Sequence, residues 1–177
     1  YVTAATALFP HAILHWEDFG TSNARRILDR YRSSTLTFND DMQGTGAVSL
    51  AAALSASRIN GTPLTEHRVV VHGSGTAGIG IADQLRDAMC VAGMPRDRAN
   101  RQFWCVGRHG LLADDREDLR DFQEPFARPA EEISSWDRDD ELGGVSLLEV
   151  VRRVRPTILI GTSGRPQAFT EQVVREY

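Results

Sequence analysis

The stretch HRVVVHGSGTAGIGIA, residues 67–82, decides the fold of this chain. It begins with a β-branched run without alternating polar residues, as in strands that helices cover on both faces. The run leads straight into Gly73, Gly75 and Gly78, which have the spacing G-x-G-x-x-G. A helical pattern of apolar residues follows over residues 76–92. A buried strand, a glycine turn and a helix in this order predict a dinucleotide-binding unit.

The three glycines of this turn have different expected roles. Gly73 would make the tight turn, Gly75 would let the backbone approach a pyrophosphate, and Gly78 would let helix and strand pack closely. The free N–H groups of the helix N-terminus would then face the phosphates. A glycine-rich turn that binds no ligand is the alternative interpretation. The predicted cofactor-binding residues of the turn are Gly73, Ser74, Gly75, Thr76, Ala77 and Gly78.

Strands and helices alternate along the rest of the chain. This alternation predicts an α/β fold with a Rossmann-like, doubly wound parallel sheet. The strands should be parallel neighbours, with the glycines that follow them at the edge where such sheets bind ligands. The predicted strands are 67–72, 102–106 and 157–160, followed by Gly73, Gly107 and Gly161, with helices at 146–154 and from Thr170 and a polar excursion over 110–144.

Two acidic pairs, Glu17-Asp18 and Asp40-Asp41, stand out in the N-terminal part of the chain. The first pair directly follows an apolar run of strand length, residues 12–16. Carboxylates are hard oxygen donors that suit Mg²⁺ or Mn²⁺. Acidic residues at strand ends and in loops are more often solvated than bound to a metal, so their spacing alone leaves the question of a metal site open.

Two helices are predicted around the second acidic pair. Polar residues 21–23 offer N-caps for the first helix, which continues to Tyr31. The second helix lies within GTGAVSLAAALSASRIN, residues 44–60, and its apolar residues predict a largely buried element.

Composition limits the class of protein. With 177 residues and 41% hydrophobic content, the chain has room for one globular domain, or one domain and part of another. A net charge of -4 gives no basic surface for nucleic acid. No apolar run reaches the ~20 residues of a membrane helix. Two cysteines without a CxxC pair favour a reducing cytoplasm. All 20 basic residues are arginine, so no lysine is present to act as a base.

The end of the second predicted strand lacks an expected acid. Dinucleotide folds usually place a carboxylate there, which holds the 2′-hydroxyl of the adenosine ribose. This chain has Gly107, followed by Arg108. Arg108 could accept a 2′-phosphate instead, or it could simply be solvated.

Six short segments carry a further signal when they are taken together. They are EDF at 17–19, FNDDMQGT at 38–45, GSGTAGIGIA at 73–82, GLL at 110–112, QEPFA at 123–127 and PTILIGTSG at 156–164. In this order they resemble the malic enzymes and the closely related malolactic enzymes, and the similarity extends over nearly the whole chain. The most specific segment is FNDDMQGT.

The resemblance assigns roles to residues in both the N-terminal and the C-terminal parts of the chain. It implies that Glu17, Asp18 and Asp41 bind a divalent metal, and that Asp40 supports a catalytic lysine. It divides the chain into residues 1–42, the end of a substrate- and metal-binding domain, and residues 43–177, an NAD(P)-binding Rossmann domain that is incomplete at its C-terminus. It also implies that Thr45 and the turn Gly73–Gly78 bind cofactor phosphates, and that Gly161, Thr162 and Ser163 lie near the nicotinamide.

The implied reaction is the oxidative decarboxylation of (S)-malate to pyruvate and CO₂ with NAD and Mg²⁺ or Mn²⁺. The family's lysine base and tyrosine acid would precede Tyr1, so the chain is expected to be an inactive central piece of a longer, homo-oligomeric protein. Gly107 leaves NADP open, whereas Gln123, where NADP-dependent relatives tend to carry a basic residue, favours NAD. A malolactic enzyme, which converts malate to lactate, and a non-catalytic dinucleotide-binding module are the alternatives.

Overall fold

The computed structural model describes the backbone of residues 1–177 and all side chains except those of residues 21 and 22. The N-cap predicted at 21–23 is wrong, because α2 already begins at Gly20 and has Phe19 as its N-cap residue. The helices are Val2–Leu8 (α1), Gly20–Tyr31 (α2), Thr45–Asn60 (α3), Thr76–Val91 (α4), Arg96–Asn100 (α5), Leu147–Val154 (α6) and Glu171–Glu176 (α7). The strands are Leu14–Trp16 (β1), Thr37–Asn39 (β2), Val69–His72 (β3), Phe103–Gly107 (β4), Gly110–Leu111 (β5), Arg138–Asp139 (β6), Gly144–Val145 (β7) and Ile158–Gly161 (β8). A π-helical turn covers Asp40–Gly44, and 3₁₀ turns cover Leu64–Glu66 and Glu124–Phe126.

The main sheet has the strand order β5-β4-β3-β8. Strands β4 and β8 both pair in parallel with β3, so His72 lies between Val106 and Gly161. The prediction of three parallel, adjacent strands is confirmed. Strand β5 was not predicted: it folds back antiparallel on β4 through a two-residue turn, with Gly107 opposite Gly110.

Helices cover both faces of this sheet, as the doubly wound prediction requires. Val69 and Val71 of β3 pack in the core that contains Ile79 and Leu85 of α4. Val70 points to the opposite face and packs with Val150 of α6. Each of these strand residues is fully buried. Because both faces are apolar, the strand sequence shows no alternation.

Small residues bring the acidic turn against α4. A Cβ on Gly80 would lie 2.7 Å from the carbonyl oxygen of Met42, and a Cβ on Gly46 would lie 3.0 Å from the carbonyl oxygen of Gly80. The side chain of Gln84 also donates a hydrogen bond to the carbonyl of Gln43 at 2.7 Å. The π-helical turn that carries Asp40 and Asp41 is therefore packed directly on the helix that follows the glycine turn.

The N-terminal region has its own small core beneath a two-stranded sheet. Strands β1 and β2 are parallel, with Leu14 opposite Thr37 and Trp16 opposite Asn39. Ala24 and Leu28 of α2 pack with Met42. The division into residues 1–42 and 43–177 stays a prediction.

The prediction that α3 is largely buried is wrong. Its buried residues are Gly46, Ala53 and Ser57, whereas Val48 is 73% exposed. The helix packs on α4 through small residues, and its alanines are apolar without requiring burial. Among the described helices, none is long and apolar enough to cross a membrane.

Candidate active site

The two acidic pairs lie at the same end of the N-terminal sheet. Glu17 and Asp18 follow β1, Asp40 and Asp41 follow β2, and these strands are parallel partners. The backbone N–H of Asp18 donates a hydrogen bond to Oδ2 of Asp41 at 3.0 Å. Strand pairing therefore brings together carboxylates that are more than twenty residues apart in sequence. We call these four residues, together with His15, the acidic rim.

The backbone of Asp18 has a positive φ of 56°. Residues other than glycine seldom adopt this left-handed conformation, although aspartate tolerates it better than most. In this conformation the backbone N–H of Asp18 donates its hydrogen bond to Oδ2 of Asp41. Backbone strain of this kind occurs preferentially at functional sites.

His15 joins the acidic rim, which sequence reasoning missed. Ligand atoms of His15, Glu17 and Asp40 lie within 4.8 Å of one another. His15 Nε2 is 3.3 Å from Glu17 Oε2, and the imidazole stacks on Phe38 with ring centroids 4.5 Å apart. The signal was the strand register, which places His15 opposite Phe38. The predicted metal-ligand set of Glu17, Asp18 and Asp41 stays a prediction.

Asn39 and Gln43 fix the turn that carries the second acidic pair. The side chain of Asn39, which is fully buried, accepts a hydrogen bond from the N–H of Met42 at 3.0 Å. The side chain of Gln43 accepts one from the N–H of Asn39, also at 3.0 Å. These bonds hold Asp40 and Asp41 at the start of the π-helical turn.

The turn Gly73–Gly78, which we call the glycine loop, interlocks with the end of β8. Gly73 has a φ of 118°, and a Cβ there would lie 2.5 Å from Thr162 Oγ1. A Cβ on Gly78 would overlap the carbonyl oxygen of Gly73. The Thr162 hydroxyl donates a hydrogen bond to that same carbonyl at 2.9 Å. Both glycines are therefore required by close packing.

The glycine loop and part of the acidic rim border one cleft of about 700 Å³. Asp18 and Asp41 are the residues of the acidic rim that line it. Because β4 and β8 flank β3, Arg108 after β4 and Ser163 after β8 border the cleft on opposite sides of the glycine loop.

Most of the predicted cofactor-binding residues meet at this cleft. All six residues of the glycine loop border it, together with Arg108, Thr162 and Ser163. Gly161 borders an adjoining cavity of about 410 Å³. Thr45 lies at the start of α3 and does not line either space in the described part of the chain.

The start of α4 suits a phosphate group. Gly75 is the N-cap residue and Thr76 is the first residue of the helix. The Thr76 hydroxyl is buried and has no hydrogen-bond partner among the described residues. An unpaired hydroxyl beside the free N–H groups of a helix N-terminus is a fitting donor for a phosphate oxygen.

Two further cleft residues have distinctive surroundings. The amide of Gln123 donates a hydrogen bond to the carbonyl of Ser74 at 2.7 Å, which ties the polar excursion to the glycine loop. Burial lowers the pKa of His72, and the positive charge of Arg165 lowers it further. His72 is therefore a neutral side chain at the centre of the sheet edge.

An open parallel sheet whose glycine loop meets a helix N-terminus defines a Rossmann-type dinucleotide-binding domain. Comparison with known families makes this specific: the family described as "Malic enzyme, NAD binding domain" matches residues 42–177. The chain belongs to the malic enzyme family.

Curated relatives include both of the enzymes named by the resemblance. The chain is 56% identical over 176 residues to NAD-dependent malic enzyme 3 of Bacillus subtilis (strain 168), covering 99% of this chain and 31% of that protein. It is 44% identical over 175 residues to the malolactic enzyme of Leuconostoc mesenteroides, again covering 99% and 31%. The chain thus spans about a third of the length of these relatives.

Solved structures show the same fold. The NAD-dependent malic enzyme from Thermotoga maritima superposes with a TM-score of 0.73 at 25% identity, over 99% of this chain and 42% of that one. The Entamoeba histolytica malic enzyme gives a TM-score of 0.70 at 23% identity, over 99% and 34%. The predicted Rossmann-like α/β fold is confirmed.

Proposed function

We propose that the protein containing this chain catalyses the metal- and NAD-dependent oxidative decarboxylation of (S)-malate to pyruvate and CO₂. The observation that carries the proposal is the shared cleft: Asp18 and Asp41 border the same space as the glycine loop. A metal-bound substrate and a nicotinamide cofactor must meet for hydride transfer, and such a cleft offers room for both.

Glu17, Asp18 and Asp41 would hold the divalent cation. Their carboxylates are the hard oxygen donors that Mg²⁺ and Mn²⁺ prefer. Asp41 accepts one hydrogen bond from the Asp18 amide and keeps further lone pairs for a cation. When bound, the cation supplies Lewis-acid polarisation of the malate C2 oxygen and of the carbonyl that replaces it.

The glycine loop and the start of α4 would bind the cofactor pyrophosphate. The unpaired Thr76 hydroxyl and the helix N-terminus support this assignment. On the β8 side, Gly161, Thr162 and Ser163 would border the nicotinamide half, and Arg108 on the β4 side would face the adenosine half. Thr45 lines neither space, so its contact with a phosphate stays a prediction. NAD is the proposed cofactor. Two of the relatives compared above, from Bacillus subtilis and Thermotoga maritima, are named as NAD-dependent malic enzymes.

The lysine that the resemblance implies as the base for the malate hydroxyl has no counterpart in this chain. There is no lysine among the 177 residues, and arginine stays protonated at any working pH. His72 directly precedes the glycine loop, so it would lie on the cofactor side of the cleft. We therefore expect the isolated chain to bind cofactor weakly and to show no malate-dependent reduction of NAD. Proton-transfer groups typically contribute ~10²–10⁴ in rate.

A malolactic enzyme is the second candidate, favoured by the 44% identity to the Leuconostoc mesenteroides protein. It would use the same metal and cofactor residues. The difference lies in the products, since a malolactic enzyme releases lactate and no net reduced cofactor.

The deciding experiment uses the protein expressed from its complete reading frame, with malate, NAD and Mn²⁺. NADH and pyruvate would support the malic enzyme, whereas lactate without NADH would establish the malolactic alternative. Binding of NAD without either product would leave a non-catalytic dinucleotide-binding module. A reducing, cytoplasmic setting is part of the proposal, supported by the free thiols Cys90 and Cys105.

A further inference from the structure

The adenosine side of the cleft lacks the usual carboxylate at the end of β4. The strand ends at Gly107, and a Cβ there would lie 2.5 Å from Ser74 Oγ. Ser74 thus occupies the space in which a side chain at 107 would begin. A group that recognises the adenosine ribose must therefore come from another part of the chain.

Asp118 lines the same cleft, and it also lines the neighbouring cavity of about 420 Å³. Arg116 holds the Asp118 carboxylate with two parallel hydrogen bonds, from Nε to Oδ1 at 2.9 Å and from Nη2 to Oδ2 at 2.8 Å. Such two-point contacts fix both the position and the plane of a carboxylate.

Arg116 is itself anchored beside the end of β4. Its Nη1 lies 3.3 Å from the carbonyl oxygen of His109, 3.4 Å from that of Gly110 and 3.3 Å from that of Leu111. All three carbonyls belong to the turn and strand that directly follow Gly107. Arg116 therefore ties the Asp118 carboxylate to the hairpin in which the usual acid is missing.

Asp118 is available to a ligand. Its side chain is 57% exposed, whereas that of Arg116 is 18% exposed. The hydrogen bond from Arg116 lowers the pKa of Asp118, so the carboxylate is ionised at neutral pH. Arg116 uses one lone pair on each oxygen, which leaves one on each to accept a hydroxyl.

We propose that Asp118, positioned by Arg116, accepts the ribose hydroxyls of the adenosine half of NAD and repels the 2′-phosphate of NADP. The inference rests on the proposed function, because it requires that a dinucleotide occupies the cleft. It opposes the alternative in which Arg108 attracts the 2′-phosphate. Both residues border the cleft, so the sign of the selectivity shows which of them dominates.

The test compares dissociation constants for NAD and NADP by isothermal titration calorimetry at fixed salt, using the protein from its complete reading frame. Asp118→Asn removes the charge and keeps the shape. Because hydrogen bonds to charged groups are worth about tenfold or more in affinity, we expect the ratio of the NADP to the NAD dissociation constant to fall at least ~10-fold.

Asp115→Asn is the matched control. Asp115 lies in the same excursion and pairs with Arg138 at 3.5 Å, and it borders a neighbouring cavity rather than the cofactor cleft. The control removes the same charge, and the ratio should stay within about twofold of the unaltered protein. Arg116→Lys keeps the positive charge but loses the two-point contact with Asp118. It should therefore lower the ratio of the NADP to the NAD dissociation constant, as Asp118→Asn does.

Three results would overturn the inference. An unchanged ratio in Asp118→Asn would remove Asp118 from recognition. A preference for NADP that Arg108→Gln abolishes would assign the ribose site to Arg108 instead. If the unaltered protein binds neither NAD nor NADP, the proposed function fails and the inference fails with it. The first two results would overturn only the inference and would leave the proposed function intact.

Discussion

The glycine loop and two residues of the acidic rim, Asp18 and Asp41, border one cleft, but different forces shape the two regions. Gly73 and Gly78 are held by contacts so close that neither accepts a Cβ. In the acidic rim, the side chains of Glu17 and His15 are 57% and 49% exposed. Hydrogen bonds, rather than close packing, hold the turn that carries Asp40 and Asp41. The glycine loop is therefore preformed by sterics, whereas the acidic rim is a set of charges that a bound cation would order. Substitutions should separate these two kinds of site.

Gly78→Ala should have the largest effect on folding. Its Cβ would overlap the carbonyl oxygen of Gly73, so α4 and β3 must move apart. We expect a loss of about 3 kcal/mol in the free energy of unfolding, at the upper end of overpacking costs, together with loss of NAD binding. Urea unfolding and calorimetry would measure both.

Gly61→Ala is the control for this prediction. Gly61 has a φ of 69° but open space around the position of a Cβ, so only backbone strain opposes the change. That strain costs about 1 kcal/mol. Equal losses for the two variants would contradict the steric account of the glycine loop.

Asp41→Asn should leave folding intact and remove the stabilisation by metal. Without metal, the free energy of unfolding should be unchanged, because asparagine retains an oxygen that can accept the Asp18 amide. With Mn²⁺ at a hundredfold excess over its dissociation constant, the unaltered protein should gain about 2.7 kcal/mol. The variant should lose this gain.

Glu66→Gln serves as the control for Asp41→Asn. Glu66 is exposed and precedes β3, at the end of the strand away from the cleft. This variant should keep the whole Mn²⁺-dependent gain. A full gain in Asp41→Asn as well would mean that Asp41 does not bind the cation.

Asp83→Asn tests how much the ion pair between α2 and α4 contributes to stability. Asp83 of α4 pairs with Arg25 of α2 at 2.7 Å and with Arg86 at 2.8 Å, and its side chain is 16% exposed. Removing one partner of a partly buried ion pair costs more than at an exposed pair and less than at a fully buried one. We therefore expect a loss of ~1–2 kcal/mol in the free energy of unfolding. Asp87→Asn, at a site that is 54% exposed, should cost less. A larger loss for Asp87→Asn would contradict this ranking.

His72→Leu should give the smallest change, seen in the pH dependence of stability. The folded-state pKa of His72 lies below its ordinary value of 6.5, because burial and Arg165 disfavour the proton. As pH falls below 6.5, the unfolded chain binds a proton that the folded chain does not, and stability decreases until the folded pKa is reached. Above that window the histidine is neutral in both states. The variant should show a flatter stability profile below pH 6.5, and an identical slope in both proteins would contradict the assignment.

Sequence reasoning worked best where the physical constraint is local. The glycine spacing and the β-branched run before it predicted β3, α4 and the tight turn between them, because these constraints act within about a dozen residues. His15 and Asp118 escaped prediction. The place of His15 depends on the register of β1 and β2, and that of Asp118 on the path of a long excursion. The prediction that α3 is largely buried was wrong, because alanine counts as apolar in a sequence pattern but is also common at exposed helix positions.

The central claim is that the acidic rim and the glycine loop form one metal- and dinucleotide-binding site. Anomalous diffraction from crystals of the protein grown with Mn²⁺ and NAD tests it most directly. The account predicts one Mn²⁺ peak within ~2.0–2.6 Å of carboxylate oxygens from Glu17, Asp18 and Asp41, beside a cofactor whose pyrophosphate lies on the glycine loop. A Mn²⁺ ion held by His15, Glu17 and Asp40 without Asp18 or Asp41 would contradict it.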